Sequence, residues 1–145
     1  MPEYELTSDR SRFDVEAIHA FLSSVYWSPG IPRQIVQRAI DNSICFGVLL
    51  EGQQVAFARV ITDKATFAYL ADVYVLEEHR GKGLTRRMME SISAHPELQG
   101  LRRMMLATRD AHGLYAKFGF KPLSAPERMM EVHVPNAYGV PHCSG

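Results

Sequence analysis

The chain contains a long apolar run that leads through a glycine-rich turn directly into a helix, and few folds accommodate this order. Residues 67–76 are apolar on both alternating faces apart from Asp72, a pattern typical of a strand in the middle of a sheet. The turn at 80–83 has the sequence Arg-Gly-Lys-Gly, and apolar residues at a helical spacing over 84–92 predict a helix after it. A central strand that is connected to a helix in this way predicts packed layers of helix and sheet.

The remaining hydrophobic periodicities predict further helices and strands on both sides of this segment. In chain order, the predicted elements are strand 4–6, helices 15–25 and 35–40, strands 45–50, 55–61 and 67–76, helix 84–94, strand 104–107, helix 113–118, and strands 120–123 and 129–134. The order β-α-α-β-β-β-α-β-α-β-β is that of an α+β domain, with a central mixed sheet that is flanked by helices.

Length and composition exclude several classes of protein. The 145 residues contain no repeat or linker, which predicts one domain over 1–134 and a tail over 135–145 with too little apolar surface to pack independently. The 16 basic and 16 acidic side chains give a net charge of zero, which disfavours a nucleic-acid partner. Because Cys45 and Cys143 are the only cysteines, no zinc quartet or disulfide framework is expected, and we expect no metal cofactor.

The apolar runs of the chain also indicate where the protein is found. None approaches the roughly 20 residues that a membrane-spanning helix needs, so no membrane partner is expected. The first residues lack the basic and apolar regions of a secretory signal. A cytoplasmic location is therefore expected.

The turn between the central strand and the helix is a candidate phosphate-binding site. Gly81 and Gly83 allow backbone to approach a ligand, N–H groups at a helix start attract anions, and Arg80 and Lys82 add positive charge. The segment lacks the Gly-x-x-x-x-Gly-Lys-Ser/Thr pattern of a P-loop, and Arg86 stands where Gly-x-Gly-x-x-Gly would need its third glycine. Nucleotide hydrolysis and dinucleotide binding are therefore disfavoured. Taken alone, a turn of this kind is also common as a simple connection.

A second segment about thirty residues further on strengthens the ligand-binding interpretation. Residues 114–120 read Leu-Tyr-Ala-Lys-Phe-Gly-Phe, after a predicted strand. Together the two segments resemble the GNAT family of acetyl-CoA-dependent N-acetyltransferases, over about residues 44–123. The family signature Arg/Gln-x-x-Gly-x-Gly/Ala corresponds to Arg80, Gly83 and Thr85, and the later Leu-Tyr-x-x-x-Gly-Phe corresponds to 114–120.

Two positions depart from the family pattern. Thr85 stands where Gly or Ala is usual, which leaves its backbone N–H available to a ligand. Thr108 stands where many members have Asn, which puts a side-chain contact to the cofactor at that point in doubt.

The resemblance implies how acetyl-CoA would bind. Two central strands would splay apart, the pantetheine arm would pair with backbone in the gap, and the pyrophosphate would lie over the turn. The residues implied to bind acetyl-CoA are Val73, Tyr74, Val75, Arg80, Gly81, Lys82, Gly83, Leu84, Thr85 and Arg86.

The resemblance also implies transfer of the acetyl group to a primary amine of a small molecule or peptide, by direct attack of the amine on the thioester. Tyr115 would protonate the departing thiolate, since a phenol is still a proton donor at pH 7. Spacing alone favours a Tyr115 that only packs its helix on the sheet, and the resemblance reverses this preference. The alternative functions are transfer of a longer acyl group and a CoA-binding sensor or interaction module without transfer. A homodimer is compatible with an exposed apolar sheet edge.

The candidate for the general base comes from the residues themselves, whereas the resemblance implies an acceptor pocket at residues 26–33, between the first two predicted helices, where a simple helix-breaking loop is nearly as good an interpretation. Asp72 interrupts an apolar strand just before the implied cofactor backbone, so it is a candidate base, although an ion pair that fixes a loop is as good an interpretation. Trp27 lies at the start of a Pro/Gly-rich stretch and is a candidate for stacking on the acceptor. Arg33 follows this stretch and is a candidate for pairing with a carboxylate of the acceptor. The other polar groups considered near the implied site are Glu77, Glu78, His79, Asp110 and His112.

Overall fold

The computed structural model describes residues 3–139 and contains five strands and four α-helices in this range. In chain order they are β1 (Tyr4–Thr7), α1 (Val15–Leu22), α2 (Arg33–Asp41), β2 (Ile44–Leu50), β3 (Gln53–Thr62), β4 (Phe67–Val75), α3 (Leu84–Ala94), β5 (Arg103–Leu106) and α4 (His112–Ala116). Short 3₁₀ turns occupy Arg10–Arg12, Glu77–His79, Pro96–Leu98 and Pro126–Arg128. None of the helices in the described range is long and apolar enough to cross a membrane.

The strands form one mixed sheet in the order β1-β2-β3-β4-β5. The first four strands pair antiparallel with their neighbours, and β5 runs parallel to β4. This parallel pairing extends only from Phe67 opposite Arg103 to Leu70 opposite Leu106. Residues 71–75 of β4 continue without a strand partner on that side among residues 3–139, so the sheet opens between β4 and β5.

Apolar side chains cover both faces of the sheet and form two core clusters. Phe46 of β2 packs with Met88 and Ile92 of α3 in one cluster, whereas Phe57 of β3 packs with Ile18 of α1 and other residues of α1 and α2 in the second. Neighbouring residues of a strand point to opposite faces, which explains why the runs in β2, β3 and β4 are almost continuously apolar. The predicted α+β fold with a mixed sheet flanked by helices is confirmed.

The two strands predicted at the end of the chain are wrong. Residues 120–123 and 129–134 form no strand. Pro122 lacks the N–H that a ladder requires, and Met130 and Val132 are 97% and 98% exposed, with no neighbouring strand to bury them. In the predicted tail, Tyr138 packs against the cluster that contains Phe57, and residues 140–145 lie outside the described range.

Candidate active site

The opening between β4 and β5 leads into two adjoining clefts. We call the first the glycine-turn cleft, which has a volume of about 650 Å³ and is lined by Val73–Val75, His79–Gly81, Gly83–Arg86 and side chains of α1, α4 and the loop after α1. The second is the aromatic cleft, of about 580 Å³, which is lined by Tyr26, Trp27, Tyr69–Val73 and Leu106–Ala111. Both clefts are lined by Trp27, Val73, Ala111 and Tyr115, so they meet at these residues.

The turn before α3 exposes backbone N–H groups to the glycine-turn cleft. Gly81 and Gly83 both have φ of 76°, a conformation that favours glycine, and Gly83 caps α3 without a side-chain hydrogen bond. The first helical bond runs from Arg87 N to Gly83 O at 3.0 Å, so the N–H groups of Leu84–Arg86 have no backbone acceptor within residues 3–139. Unpaired N–H groups at the positive end of a helix dipole fit the pyrophosphate of acetyl-CoA.

The backbone of β4 presents polar groups to the same cleft. Leu76 N donates to Val55 O of β3 at 2.9 Å. In an antiparallel ladder the residue before it, Val75, then directs its N–H and C=O away from β3. Consistent with this, the Val75 carbonyl accepts a hydrogen bond from Arg80 Nε at 3.0 Å instead of from β3. Val73 lies two residues earlier and lines both clefts. The exposed edge of β4 therefore fits the amide groups of a pantetheine arm.

Asp72 lies at an irregularity of the β3–β4 ladder and accepts hydrogen bonds from two other side chains near the site. Its φ is 55°, and the pairing of the two strands shifts register beside it. Asp72 Oδ2 accepts from Arg59 Nε at 2.9 Å, and Oδ1 accepts from Trp27 Nε1 at 2.9 Å. Arg59 and Asp72 are 16% and 12% exposed, so this ion pair is largely shielded from water. Asp72 thereby fixes the indole of Trp27 where the two clefts meet.

Tyr115 of α4 is buried and lines both clefts. Burial raises the pKa of its phenol above the ordinary value of 10.0, so the hydroxyl stays protonated at neutral pH. Its ring packs edge-on against Phe120 at 6.0 Å between centroids, which fixes its orientation. Among residues 3–139 the hydroxyl has no hydrogen-bond partner, and it is therefore available to a ligand.

Aromatic rings and charged groups form the walls of the second cleft. The rings of Tyr26 and Trp27 pack edge-on at 5.1 Å, and the guanidinium of Arg109 lies 3.9 Å from the centroid of the Tyr26 ring. Tyr26 is 57% and Trp27 42% exposed, which is high for rings of this size. Asp110 adds an exposed carboxylate beside Arg109.

Most of the residues considered from the sequence come together at the two clefts, and five line neither of them: Arg33, Glu77, Glu78, Lys82 and His112. Lys82 is exposed and lies outside the lining of both clefts. Arg33 begins α2, forms an ion pair with Glu16 and also lies away from both clefts. Sequence reasoning included Tyr26 in the stretch implied for the acceptor pocket but did not assign Arg109 to the site. No local spacing signals their contact, because the two residues are far apart in the chain.

No group of three or more His, Cys, Asp or Glu side chains that could hold a metal ion occurs in the described part of the chain.

A mixed sheet that splays beside a glycine turn, with a tyrosine between two clefts, agrees with what the resemblance to the GNAT family implies. A family model described as an acetyltransferase (GNAT) domain matches residues 41–122. A protein of Gibberella zeae that is named as an acetyltransferase is 37% identical to this chain. The match covers 79% of this chain and 77% of the relative.

Solved structures give the same result. A GNAT family protein of Xanthomonas campestris pv. campestris has a TM-score of 0.93 and 54% identity, and the match covers 97% of this chain and 99% of that one. A predicted acetyltransferase of Clostridium acetobutylicum, solved with acetyl-CoA, has a TM-score of 0.65 at 16% identity, covering 92% and 96% of the two chains, and therefore shows the fold alone.

The chain belongs to the GNAT family, whose members are acetyl-CoA-dependent N-acetyltransferases. The resemblance noted from the sequence is thus confirmed, together with the expected enzyme class.

Proposed function

We propose that this protein transfers the acetyl group of acetyl-CoA to a primary amine of a small molecule or peptide, by direct attack of the amine. The observation that carries the proposal is that two separate clefts share Tyr115, Trp27, Val73 and Ala111. Two substrates that enter from different sides can therefore meet without a covalent enzyme intermediate.

Acetyl-CoA is assigned to the glycine-turn cleft. The N–H groups of Leu84–Arg86 and the left-handed glycines Gly81 and Gly83 would bind the pyrophosphate, with Arg80 and Arg86 adding positive charge. The backbone of Val73–Val75 would pair with the pantetheine amides. These contacts direct the thioester toward the residues that the two clefts share.

The reaction requires one new bond, one broken bond and two proton transfers, one to the departing sulfur and one from the attacking nitrogen. The amine nitrogen attacks the thioester carbonyl carbon, so that a C–N bond forms and the C–S bond breaks. Tyr115 donates its phenolic proton to the departing sulfur, and the proton released by the acceptor nitrogen restores the balance. A raised pKa suits Tyr115 to this task because the phenol is protonated when the sulfur needs the proton.

Asp72 is the proposed general base and Trp27 the proposed wall of the acceptor site. Asp72 lines the aromatic cleft, and its two oxygens already accept hydrogen bonds from Arg59 and Trp27. A proton would therefore pass to it through the open cleft or through water. Trp27 offers an exposed ring face to an acceptor.

Calorimetric titration with acetyl-CoA tests the first half of the proposal, with free CoA and ATP as comparisons. We expect micromolar affinity for acetyl-CoA, which corresponds to about 8 kcal/mol, and weaker binding of ATP. Thiol release with a panel of amines tests the second half. Tight binding without thiol release over a broad panel would instead identify a CoA-binding sensor.

A further inference from the structure

Arg109 is held against an aromatic ring in the acceptor-side cleft. Its guanidinium carbon lies 3.9 Å from the centroid of Tyr26, within the range of a cation–π contact. Tyr26 is itself packed edge-on against Trp27, whose indole is hydrogen-bonded to Asp72. A chain of contacts therefore runs from the ion pair on β4 to the guanidinium of Arg109.

The stacked guanidinium has its hydrogen-bond donors free. Within residues 3–139, Arg109 has no ion pair with a carboxylate, whereas Arg59 in the same region is paired with Asp72. A ring contact uses the face of a guanidinium and leaves the N–H groups at its edge, in a fork that matches carboxylate and phosphate oxygens. Arg109 is exposed and lines the aromatic cleft, so its donors can reach an anionic ligand there.

We infer that the acceptor amine carries an anionic group, a carboxylate or a phosphate, which Arg109 binds while the amine reaches the junction of the two clefts. The inference rests on the proposed function and adds the class of its second substrate. Tyr26 is the positioning residue for Arg109, since the guanidinium carbon lies against its ring.

The other charges of the aromatic cleft are compatible with this substrate class. Asp72 is compensated by Arg59, so it adds little net negative charge to the cleft. Asp110 is exposed and without an ion-pair partner in the described range, so its carboxylate can attract the ammonium form of the incoming amine. Opposite charges on adjacent residues favour a ligand that carries both an amine and an anion.

The test compares matched pairs of amines that differ only in the anionic group. The probes are β-alanine against β-alaninamide, which tests a carboxylate, and phosphoethanolamine against ethanolamine, which tests a phosphate. Trp27 is the only tryptophan of the chain and lines both clefts, so its fluorescence reports binding without turnover. Titrations are performed with free CoA present, and thiol release from acetyl-CoA is measured in parallel.

The variants separate a specific contact from a general effect of charge. Arg109→Gln should raise the Kd and KM of the anionic probe by about tenfold or more, the loss expected for a charge-assisted hydrogen bond. The neutral probe should lose much less affinity than the anionic probe, because it has no group for Arg109 to bind. Arg109→Lys should fall in between, because it keeps the charge but not the fork. Arg102→Gln is the matched control, since Arg102 is exposed, lies outside both clefts and changes the net charge equally.

Each outcome decides the inference. Tighter binding of one anionic probe, lost in Arg109→Gln and kept in Arg102→Gln, supports it and identifies carboxylate or phosphate. Equal binding of anionic and neutral probes, equal effects of the two Gln variants, or no binding of either anionic probe overturns it. Thiol release with neutral amines in those cases would leave the proposed function intact, whereas anionic binding without release of thiol from any amine would contradict the proposed function alone.

Discussion

The two clefts of this protein are built by different means. The glycine-turn cleft comes mainly from one continuous stretch, β4 with the turn and α3, and it offers backbone N–H and C=O groups. The aromatic cleft combines the loop after α1, the middle of β4 and the segment after β5, and it offers side chains. A site made of backbone depends on conformation, whereas a site made of side chains depends on which residues are present. The first cleft therefore suits a substrate common to a family, and the second a substrate that differs among members.

The largest expected effect is at the junction that belongs to both clefts. Tyr115→Phe removes the proposed proton donor and keeps the buried ring, so kcat should fall by about 10³-fold, within the range for general acid catalysis. The affinity for acetyl-CoA should change little. Because burial raises the pKa of Tyr115, donation by the wild-type phenol should persist above pH 10, and the activity should decline only beyond that pH.

Tyr138→Phe is the control for Tyr115→Phe, since Tyr138 lines neither cleft. Single-turnover measurements with saturating acetyl-CoA, together with calorimetric Kd values, separate chemistry from binding. An unchanged kcat in Tyr115→Phe would remove this residue from the acid role and leave it as a packing residue.

The second prediction tests the backbone-built cleft by itself. Gly83→Asp introduces a carboxylate where the pyrophosphate is expected, at a φ of 76° that side chains rarely adopt. We expect the Kd for acetyl-CoA to rise by about 10²-fold, because charge repulsion and a displaced helix start act together. Calorimetric titration measures the change.

Gly100→Asp provides the matched control for this change. Gly100 has a φ of 71° and open space around it, so the backbone cost is similar, but it lies outside both clefts. Equal losses of acetyl-CoA affinity in the two variants would mean that destabilisation explains the effect, and the phosphate assignment would fail.

The third prediction concerns the side-chain-built cleft and separates two roles of Asp72. Asp72→Asn keeps an oxygen for Trp27 but loses the ion pair with Arg59, which should lower the free energy of unfolding by about 2 kcal/mol for this partly buried pair. If Asp72 is the general base, Asp72→Asn should also lower kcat by about 10²-fold, at the low end of the usual range for general base catalysis. Thermal melts and the pH dependence of kcat measure the two effects.

Trp27→Phe removes the donor of the hydrogen bond to Asp72 and leaves the Asp72 carboxylate unchanged. A much smaller loss of kcat than in Asp72→Asn is expected if Asp72 is the base. A loss of kcat that is larger in Trp27→Phe than in Asp72→Asn would show that Asp72 acts by positioning the indole, because the Asn side chain keeps an acceptor for that hydrogen bond.

The comparison of the two clefts also explains how much the sequence alone could predict. The turn at 80–83 and the segment 114–120 are local patterns, so the fold and the cofactor side could be predicted from spacing and resemblance. The contact of Arg109 with Tyr26 depends on how distant segments meet, and no periodicity encodes it. The strand predicted over 129–134 failed because an alternating pattern describes a segment that can pair, without providing its partner.

The smallest expected effect concerns Arg33, which lies outside the side-chain-built cleft. The sequence suggested Arg33 as a partner for an acceptor carboxylate, whereas in the structure it pairs with Glu16 at the surface and lies outside both clefts. Arg33→Ala should therefore change the free energy of unfolding by less than about 1 kcal/mol and leave the KM of every amine unchanged. Kinetics with an anionic acceptor measure this directly, beside Arg109→Gln. A KM that rises in Arg33→Ala as much as in Arg109→Gln would mean that α2 moves toward the acceptor when it binds.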